Sequence, residues 1–382
     1  MTGHPHHFRP ANWAERPLRF AVVGGGVMGG FTAASLIQAG VQVTLYDPNA
    51  MGTGPGASVD TGRSFRVHYG NDQDLISMAV RARRLWSEWS IRMGWPLLHE
   101  TGKLLVEQQG DRHALESWRA MRDMGLRADR LSEGRVAEEW PGFRADQVTV
   151  DRLGGVLDPG VILAGLASWL SNEGIEWKKE AFEVKSNAVR CGGGWSQYDQ
   201  VVLTSGAWTQ RWIDVPMEVT RQELVYFDAS ALGERLNRLP VFSDLASGFY
   251  AIPTVKDGRI KVANHHPGRA GHPDGDERKV SSEFKAQARE FLSTHLPELA
   301  EAKIELDYVC FYSGTADRDF ILDRTPDGLI VGAGFSGHGF KFGPLIGRLL
   351  AQMALGIQPE VDLNRFSMTR ETLIGEATKI AV

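Results

Sequence analysis

Apolar and polar positions in the first fifty residues follow a regular order. Phe20–Val23 is a short apolar run, and three glycines interrupt it. Met28–Ala39 then has helical composition, Gly40 stands where a helix C-cap glycine is expected, and Val41–Tyr46 is a second β-rich run. The pattern predicts a strand, a turn, a helix and a second strand.

Farther along the chain, periodic segments alternate with polar loops. Helical spacing predicts helices at Asp72–Gly94, at Arg112–Gly125, in Gly154–Trp169 after an initial turn, near 283–295, and after Gly339. Strands are predicted at Thr101–Gln108, around Val184, and at Gln200–Ser205, Glu223–Asp228, Gly248–Ile252, Ile260–Ala263 and Leu329–Ala333. We expect the strands around Val184 and at 200–205 to return to the first sheet.

The pattern of apolar and polar positions in these segments predicts two domains. Residues 217–309 alternate like an antiparallel sheet, whereas Leu329–Ala333 and the glycines after it repeat the strand–glycine–helix order of the N-terminus. We therefore predict an α/β chain, α+β overall. A Rossmann-like cofactor domain comprises 17–90, 150–215 and 316–382, and a substrate domain with a large antiparallel sheet comprises 91–149 and 216–315. Residues 1–16 are predicted to be a flexible tail.

The first turn carries a G-x-G-x-x-G motif at Gly24, Gly26 and Gly29. Such glycines permit a tight turn, close approach of backbone to a pyrophosphate, and close packing of helix on strand. The helix N-terminus then offers free N–H groups to phosphate. Asp47, about 20 residues on, is suited to bind ribose hydroxyls and disfavours a 2′-phosphate. The motif predicts a dinucleotide site but does not separate NAD from FAD.

The composition restricts the classes of partner and the cellular setting that we expect for this chain. The 382 residues are 42% hydrophobic and 23% charged, and a net charge of −5 gives no basic surface for nucleic acid. No apolar run reaches the roughly 18 residues of a membrane helix. Two cysteines exclude a disulfide framework and favour a cytoplasmic protein. The two groups of histidines are not predicted to bind metal: His4, His6 and His7 near the N-terminus, and His265, His266 and His272. Cys191 is not expected to take part in chemistry.

Several separate segments resemble one known family. They include VVGGGVMGG at 22–30, RSFRVHYG at 63–70, VCFYSGTADRDFILD at 309–323 and GFSGHGFKF at 334–342. From Arg19 to about Ser367 the chain resembles the FAD-dependent amine oxidases of the D-amino-acid-oxidase superfamily, most closely the branch of monomeric sarcosine oxidase and N-methyltryptophan oxidase. Two segments depart from that branch: 57–62 (ASVDTG), where sarcosine oxidases carry a histidine-rich stretch, and 241–247 (VFSDLAS).

The resemblance implies FAD as the cofactor. It makes Cys310, which by itself is more often a buried core thiol, the residue that forms an 8α-thioether with the flavin. The cofactor site implied by motif and resemblance together comprises Gly24, Gly26, Val27, Met28, Gly29, Asp47, Arg63, Val184, Cys310, Gly337, His338, Gly339 and Lys341.

The resemblance also implies catalytic roles. Arg66 and Lys341 would bind the substrate carboxylate, and Lys261 would supply the fixed cation that stabilises superoxide near the flavin. His265 and Tyr250 would line the substrate cavity. A surface ion pair for Arg66, a solvated Lys261 and an ordinary loop histidine are the plain alternatives.

These expectations lead to a functional hypothesis. The protein is predicted to be a monomeric FAD-dependent oxidase that converts a secondary amino acid, N-methylated or cyclic, to an imine and reduces O₂ to H₂O₂. The first alternative is an FAD-dependent amino acid dehydrogenase that passes its electrons to an acceptor other than O₂. The second is an NAD-dependent or non-catalytic nucleotide-binding protein. The predicted partners are a small amino acid and O₂.

Overall fold

The elements are those of a computed structural model that describes residues 16–108, 112–179, 181, 183–254 and 256–374. The strands are β1 (Arg19–Val23), β2 (Gln42–Tyr46), β3 (Arg63–Phe65), β4 (Leu98–His99), β5 (Lys103–Val106), β6 (Ala128–Ser132), β7 (Gln147–Asp151), β8 (Gly155–Leu157), β9 (Glu176–Lys178), β10 (Glu183–Lys185), β11 (Ala188–Cys191), β12 (Gly194–Gln197), β13 (Gln200–Leu203), β14 (Glu218–Asp228), β15 (Val241–Asp244), β16 (Phe249–Thr254), β17 (Arg259–Asn264), β18 (Ile304–Gly314), β19 (Ile321–Arg324) and β20 (Ile330–Ala333). The helices are α1 (Val27–Gln38), α2 (Gln73–Met93), α3 (Arg112–Asp123), α4 (Glu133–Glu139), α5 (Pro159–Asn172), α6 (Ser282–His295), α7 (Gly343–Ala354) and α8 (Glu371–Ile374).

Backbone contacts divide the described chain into two units. The first unit comprises 16–59, 163–218 and 313–374, and the second comprises 60–162 and 219–312. Each unit contains its own sheets.

The first unit is built on a sheet with the strand order β19-β20-β13-β1-β2-β9. Its strands are parallel except for β19, which pairs antiparallel with β20. Four of the five residues in β1 and in β2 are buried, as expected for parallel strands covered on both faces. Helices α1 and α7 pack together closely, since a Cβ on Gly347 would lie 2.4 Å from the carbonyl carbon of Phe31.

The second unit contains a large sheet with the order β18-β14-β17-β16-β15-β5-β7-β6. Its neighbours pair antiparallel at β14–β17, β17–β16, β16–β15, β5–β7 and β7–β6, whereas β15 and β5 are parallel. Strands β3, β8 and β4 form a small antiparallel sheet in the same unit. The predicted fold class, a Rossmann-like parallel sheet with a large, mostly antiparallel sheet, is confirmed.

Two sequence-based expectations differ from the structure. Val184 lies in β10, which pairs with β11 in a separate antiparallel sheet of β10, β11 and β12 instead of joining the first sheet. The local β-pattern was sufficient to predict a strand but not its pairing partner. In addition, residues 60–90 pack within the second unit. The division of cofactor and substrate roles between domains stays a prediction.

The predicted tail lies outside the described residues except for Arg16, whose guanidinium donates to the two carboxylate oxygens of Asp199 at 3.0 and 2.6 Å. His4, His6 and His7 are likewise outside them. Within the described part of the chain, no helix combines the length and the apolar character that crossing a bilayer would demand.

Candidate functional site

The glycine motif of the first unit forms a narrow turn between β1 and α1. Gly24 has a φ of +107°, and a Cβ on Gly29 would lie only 1.8 Å from the Gly24 carbonyl oxygen. Gly26 is the N-cap of α1 and provides no side-chain cap, and the first turn of α1 carries no acidic residue. The helix N-terminus is therefore open to backbone approach and positive in sign, which fits a bound pyrophosphate.

Asp47 lies directly beyond β2, beside this turn. The Gly25 N–H donates to its Oδ2 at 2.7 Å, and the Asn49 N–H donates to its Oδ1 at 2.8 Å. These two bonds fix the carboxylate at the end of the strand, where it can accept ribose hydroxyls. Val27, the first residue of α1, donates its N–H to Ser58 Oγ at 3.0 Å. The carboxylate of Asp47 and the glycine turn together fit an adenosine dinucleotide.

The second glycine segment, 334–339, follows β20 in the same unit. Ser336 has a left-handed backbone with a φ of +48°, and three hydrogen bonds hold it there. Its N–H donates to Ser313 O at 2.9 Å. Its Oγ donates to Gly334 O at 3.1 Å and accepts from the Thr315 N–H at 3.3 Å. Gly337 also has a positive φ, of +78°. The backbone is thus set in a strained loop of the kind found at ligand sites.

Contacts within the first unit bring the two glycine segments together. A Cβ on Gly339 would lie 2.9 Å from Met28 Cε, and one on Gly343 would lie 2.7 Å from Val27 Cγ2. His338 Nε2 lies 3.0 Å from Arg318 O. Lys341 is buried, and its Nζ donates to His338 O at 2.7 Å. The predicted cofactor residues of both motifs therefore cluster, whereas Val184 packs against a separate group of buried apolar residues that includes Ala21 and Val189.

Cys310 lies on β18 of the second unit as a free, buried cysteine. Leu224, Tyr226 and Ala263 surround it, and three partly buried tyrosines, Tyr250, Tyr308 and Tyr312, pack on this group. Burial is the main cause that raises the pKa of Tyr226, Tyr250 and Tyr308 above the ordinary phenol value. These phenols are therefore neutral at physiological pH. The cysteine lies in an aromatic environment of the kind that can enclose a planar ring.

Lys261 lies on β17, in register with Tyr226 on β14 and Ile252 on β16. Its ammonium contacts a carboxylate oxygen of Asp60 and donates to Gly62 O at 3.3 Å. Desolvation, followed by the nearby positive charge of Arg63, lowers the pKa of Lys261 well below its usual value, against a smaller opposing effect of Cys310. The Lys261 side chain is therefore fully buried and held by Asp60 and Gly62, and it is not a solvated surface lysine.

Arg63 and Arg66 have different surroundings. The Arg63 guanidinium contacts Asp60. Desolvation is the largest single influence and lowers its pKa, but the combined electrostatic effect of Tyr308, Cys310, Tyr312 and Tyr250 raises that pKa above its usual value. Arg66 Nη1 donates to His68 O at 2.7 Å, and its guanidinium carbon lies 4.1 Å from the ring centroid of Tyr69. The surface ion pair considered for Arg66 is thus replaced by contacts within its own loop.

Tyr250 and His265 adjoin the Cys310 cluster. The hydroxyl oxygens of Tyr250 and Tyr312 are 3.5 Å apart, and the rings of Tyr250 and His265 meet edge to face at 6.4 Å. The His265 N–H donates to Gly248 O at 2.9 Å, which fixes the turn after β17. The second unit therefore brings Arg63, Tyr250, Lys261, His265 and Cys310 into one region.

Asp60 is the residue of this region that sequence reasoning missed. It lies in the segment 57–62, which was noted only as a departure from sarcosine oxidases. A lone aspartate in a polar, glycine-rich stretch resembles any loop carboxylate, so its burial could not be foreseen. The departure itself was the signal that marked the segment for attention.

Comparisons with known proteins identify a family and several relatives of this chain. The family profile described as "FAD dependent oxidoreductase" (DAO) matches residues 19–353. The chain is 27% identical over 378 residues to monomeric sarcosine oxidase from Bacillus sp. (strain B-0618), with 92% of this chain and 96% of that protein covered. It is 24% identical over 377 residues to N-methyl-L-tryptophan oxidase from Citrobacter koseri, covering 92% and 98%. The crystal structure of glycine oxidase from Geobacillus kaustophilus superposes with a TM-score of 0.80 at 22% identity, covering 92% and 99%.

Proposed function

The chain belongs to the DAO family of FAD-dependent oxidoreductases, and from this membership we propose an oxidase that acts on a secondary amino acid. The substrate is N-methylated or cyclic, the product is an imine that water hydrolyses, and O₂ is reduced to H₂O₂. FAD, when bound, takes two electrons from the substrate and passes them to O₂. That the enzyme is an FAD-dependent oxidoreductase of the amino acid oxidase type rests on the family match itself.

One observation supports the choice of O₂ as the acceptor: the side chain of Lys261 is buried, and the cationic guanidinium of Arg63 lies near it. Arg63 and the Cys310 cluster lie beside its ammonium. Reduction of O₂ begins with charge separation, and a preorganised cation in a desolvated site stabilises the negative charge that develops. A dehydrogenase has no need of this charge.

The substrate end of the proposal rests on Arg66. A guanidinium binds a carboxylate through two parallel hydrogen bonds, and the Tyr69 ring beneath it fixes its plane. This would orient the α-carbon and its C–H bond for oxidation. Tyr250 and His265 are proposed to line the cavity for the amine and its substituents. The role of Lys341 as a second cation for the carboxylate stays a prediction.

Covalent attachment of the flavin to Cys310 is part of the proposal. Acid precipitation tests it, since covalently bound flavin stays with the pellet. We expect yellow colour in the pellet of the wild type and in the supernatant of Cys310→Ala. Yellow colour in the wild-type supernatant would exclude the thioether to Cys310 but would still show that FAD is bound.

Separate half-reactions test the function itself. Lys261→Met is expected to leave anaerobic reduction of the flavin by substrate largely intact and to slow reoxidation by O₂ by roughly two orders of magnitude or more. Lys103→Met is a matched control, because Lys103 is also a fully buried lysine of the second unit whose pKa is lowered by desolvation. It should reoxidise at the wild-type rate.

The amine is identified by a substrate panel. Sarcosine, proline, pipecolate and N-methylated aromatic amino acids are compared by H₂O₂ release, which should match substrate loss one to one. Flavin that stays reduced in air, with turnover restored by an artificial electron acceptor, would instead establish the dehydrogenase. A cytoplasmic, monomeric enzyme is proposed from the cysteine usage and the family resemblance.

A further inference from the structure

Asp60 occupies an unusual position for a carboxylate in the second unit. Its side chain is completely buried, and four donors converge on its two oxygens. The Thr61 N–H donates to Oδ1 at 2.8 Å and the Tyr226 hydroxyl donates to the same oxygen. The Lys261 ammonium and the Arg63 guanidinium contact Oδ2. A carboxylate accepts about four hydrogen bonds, so this one is saturated.

The balance of charge explains why a carboxylate is needed here. Lys261 and Arg63 both contact Asp60. Desolvation and the positive charge of Arg63 disfavour the protonated amine of Lys261, and the Asp60 carboxylate in contact with that amine is the negative charge that opposes them. The other titratable groups that face the cluster come from the neighbouring strands β14, β16 and β18, and they are Tyr226, Tyr250, Tyr308, Tyr312 and Cys310. The phenols of Tyr226, Tyr250 and Tyr308 have raised pKa values and carry no charge that would replace the carboxylate.

We propose that Asp60 is a positioning residue that keeps Lys261 protonated and correctly placed for the reaction with O₂. The inference rests on the proposed function, in which Lys261 is the cation at the oxygen site. Two of the three ammonium hydrogens are directed to one short segment, since Asp60 and Gly62 O are both acceptors. Gly62 is itself confined, because a Cβ there would lie 3.0 Å from Thr254 Cγ2. The segment therefore fixes both the charge and the position of the amine.

The carboxylate lies in a segment that differs from the matching segment of the sarcosine oxidases. Residues 57–62 read ASVDTG where sarcosine oxidases carry a histidine-rich stretch, and Asp60 lies in this segment. The chain thus supplies the counter-charge from a loop, and the oxygen reaction becomes dependent on that loop.

The kinetic test uses Asp60→Asn, which removes the charge but keeps the shape. At pH 8 its flavin reoxidation should be at least ten-fold slower than that of the wild type, and the deficit should shrink toward pH 6, where the uncompensated amine regains its proton. Asp60→Glu, which restores the charge, should recover most of the rate. In the background of Lys261→Met, Asp60→Asn should add little, because the two residues act as a unit.

Asp244→Asn provides the matched control. Asp244 is a buried carboxylate of the same sheet, and its Oδ1 accepts from the Ala246 N–H at 2.9 Å and from the Ser247 N–H at 3.4 Å. Its oxygen kinetics and pH profile should match the wild type. If Lys261→Met is slow but Asp60→Asn has the wild-type rate and profile, the inference is overturned. If Lys261→Met itself reoxidises normally, the proposed function is the part that fails.

A second readout does not depend on activity. In Asp60→Asn the folded state favours the neutral amine while the unfolded chain keeps its ordinary lysine pKa, so stability falls as pH drops below about 10. The Tm deficit relative to the wild type should be larger at pH 7 than at pH 10 by about 3 °C or more. Adding Lys261→Met should remove this pH dependence. A deficit that is constant across that range in both backgrounds would contradict the charge coupling.

Discussion

The guanidinium of Arg66 is held by its own loop, with one N–H donated to His68 O and its plane placed over Tyr69. Arg66→Lys keeps the charge but loses the paired donors that match a carboxylate. We expect kcat/KM to fall about 100-fold, which corresponds to roughly 3 kcal/mol. The same variant assayed with the decarboxylated amine of the substrate should lose little. An equal loss for both amines would place the role of Arg66 elsewhere.

His68 gives this loop a pH dependence. Desolvation, together with the charges of Arg66 and Lys103 and against the pull of Asp151, lowers the pKa of His68 to about 3. Because its unfolded value is near 6.5, the unfolded chain binds the extra proton, and stability falls as pH drops from 6.5 toward 3. The slope approaches about 1.4 kcal/mol per pH unit where that proton is bound.

His68→Gln removes this titration. Its free energy of unfolding, measured by urea at pH 7.0, 5.5 and 4.5, should decline less steeply than that of the wild type. Parallel declines would show that His68 is not the group responsible.

Close packing of α1 against the turn at Gly24 requires that residue 29 has no side chain. An alanine there would place Cβ 1.8 Å from the Gly24 carbonyl oxygen, so either the turn or the helix must shift. Gly29→Ala is expected to lose FAD binding, measured by the flavin-to-protein ratio after purification. Gly134→Ala is the matched control, since that helical glycine has open space around its Cβ position and should keep full cofactor content.

Elements with strong local patterns were predictable from the sequence. Helix α2 runs from Gln73 to Met93, with Asp72 Oδ1 accepting from the Leu75 N–H at 3.0 Å and Gly94 in the left-handed conformation. Both ends of the predicted Asp72–Gly94 segment are therefore explained by capping. Local signals of this kind depend on residues within one turn of each other.

Features that depend on distant pairing were not predictable. The strand at Val184 was expected, but its sheet was not, because any β-rich run satisfies the same pattern. The sequence predicts a turn where strand β8 forms at Gly155–Leu157, since three residues carry too little periodicity to indicate a strand. The role proposed for Asp60 depends on its contact with Lys261, some two hundred positions away, and no rule of sequence spacing relates the two residues.

The end of the described chain is attached to the first unit by an ion pair. Arg370 donates to both oxygens of Asp317, at 2.6 and 2.9 Å, and to Phe320 O at 2.9 Å. Against the effect of burial, Arg370 holds the pKa of Asp317 below its usual range. Arg370→Met would leave a largely buried carboxylate unpaired, and we expect it to cost about 3 kcal/mol in urea unfolding at pH 7.

The sign of the pH effect gives a further check on this pair. Because its folded pKa is lowered, Asp317 contributes stability above about pH 4 and loses it as the pH falls through the folded value. The gap between Arg370→Met and the wild type should therefore narrow below pH 4. Arg135→Met, which breaks the exposed pair with Glu138, should leave the unfolding midpoint unchanged.

The contact between α1 and α7 has a consequence for synthesis on the ribosome. Helix α1 ends at Gln38 and its partner begins at Gly343, so the nascent chain carries an unmatched apolar helix for about 300 residues. At roughly 5–20 residues per second, this delay lasts on the order of 15–60 s. Of the two parallel neighbours of β1, β2 follows at Gln42, but β13 arrives late, since it starts at Gln200. The cofactor cradle can therefore close only when translation is almost finished, and until then a chaperone has a hydrophobic target at the N-terminus.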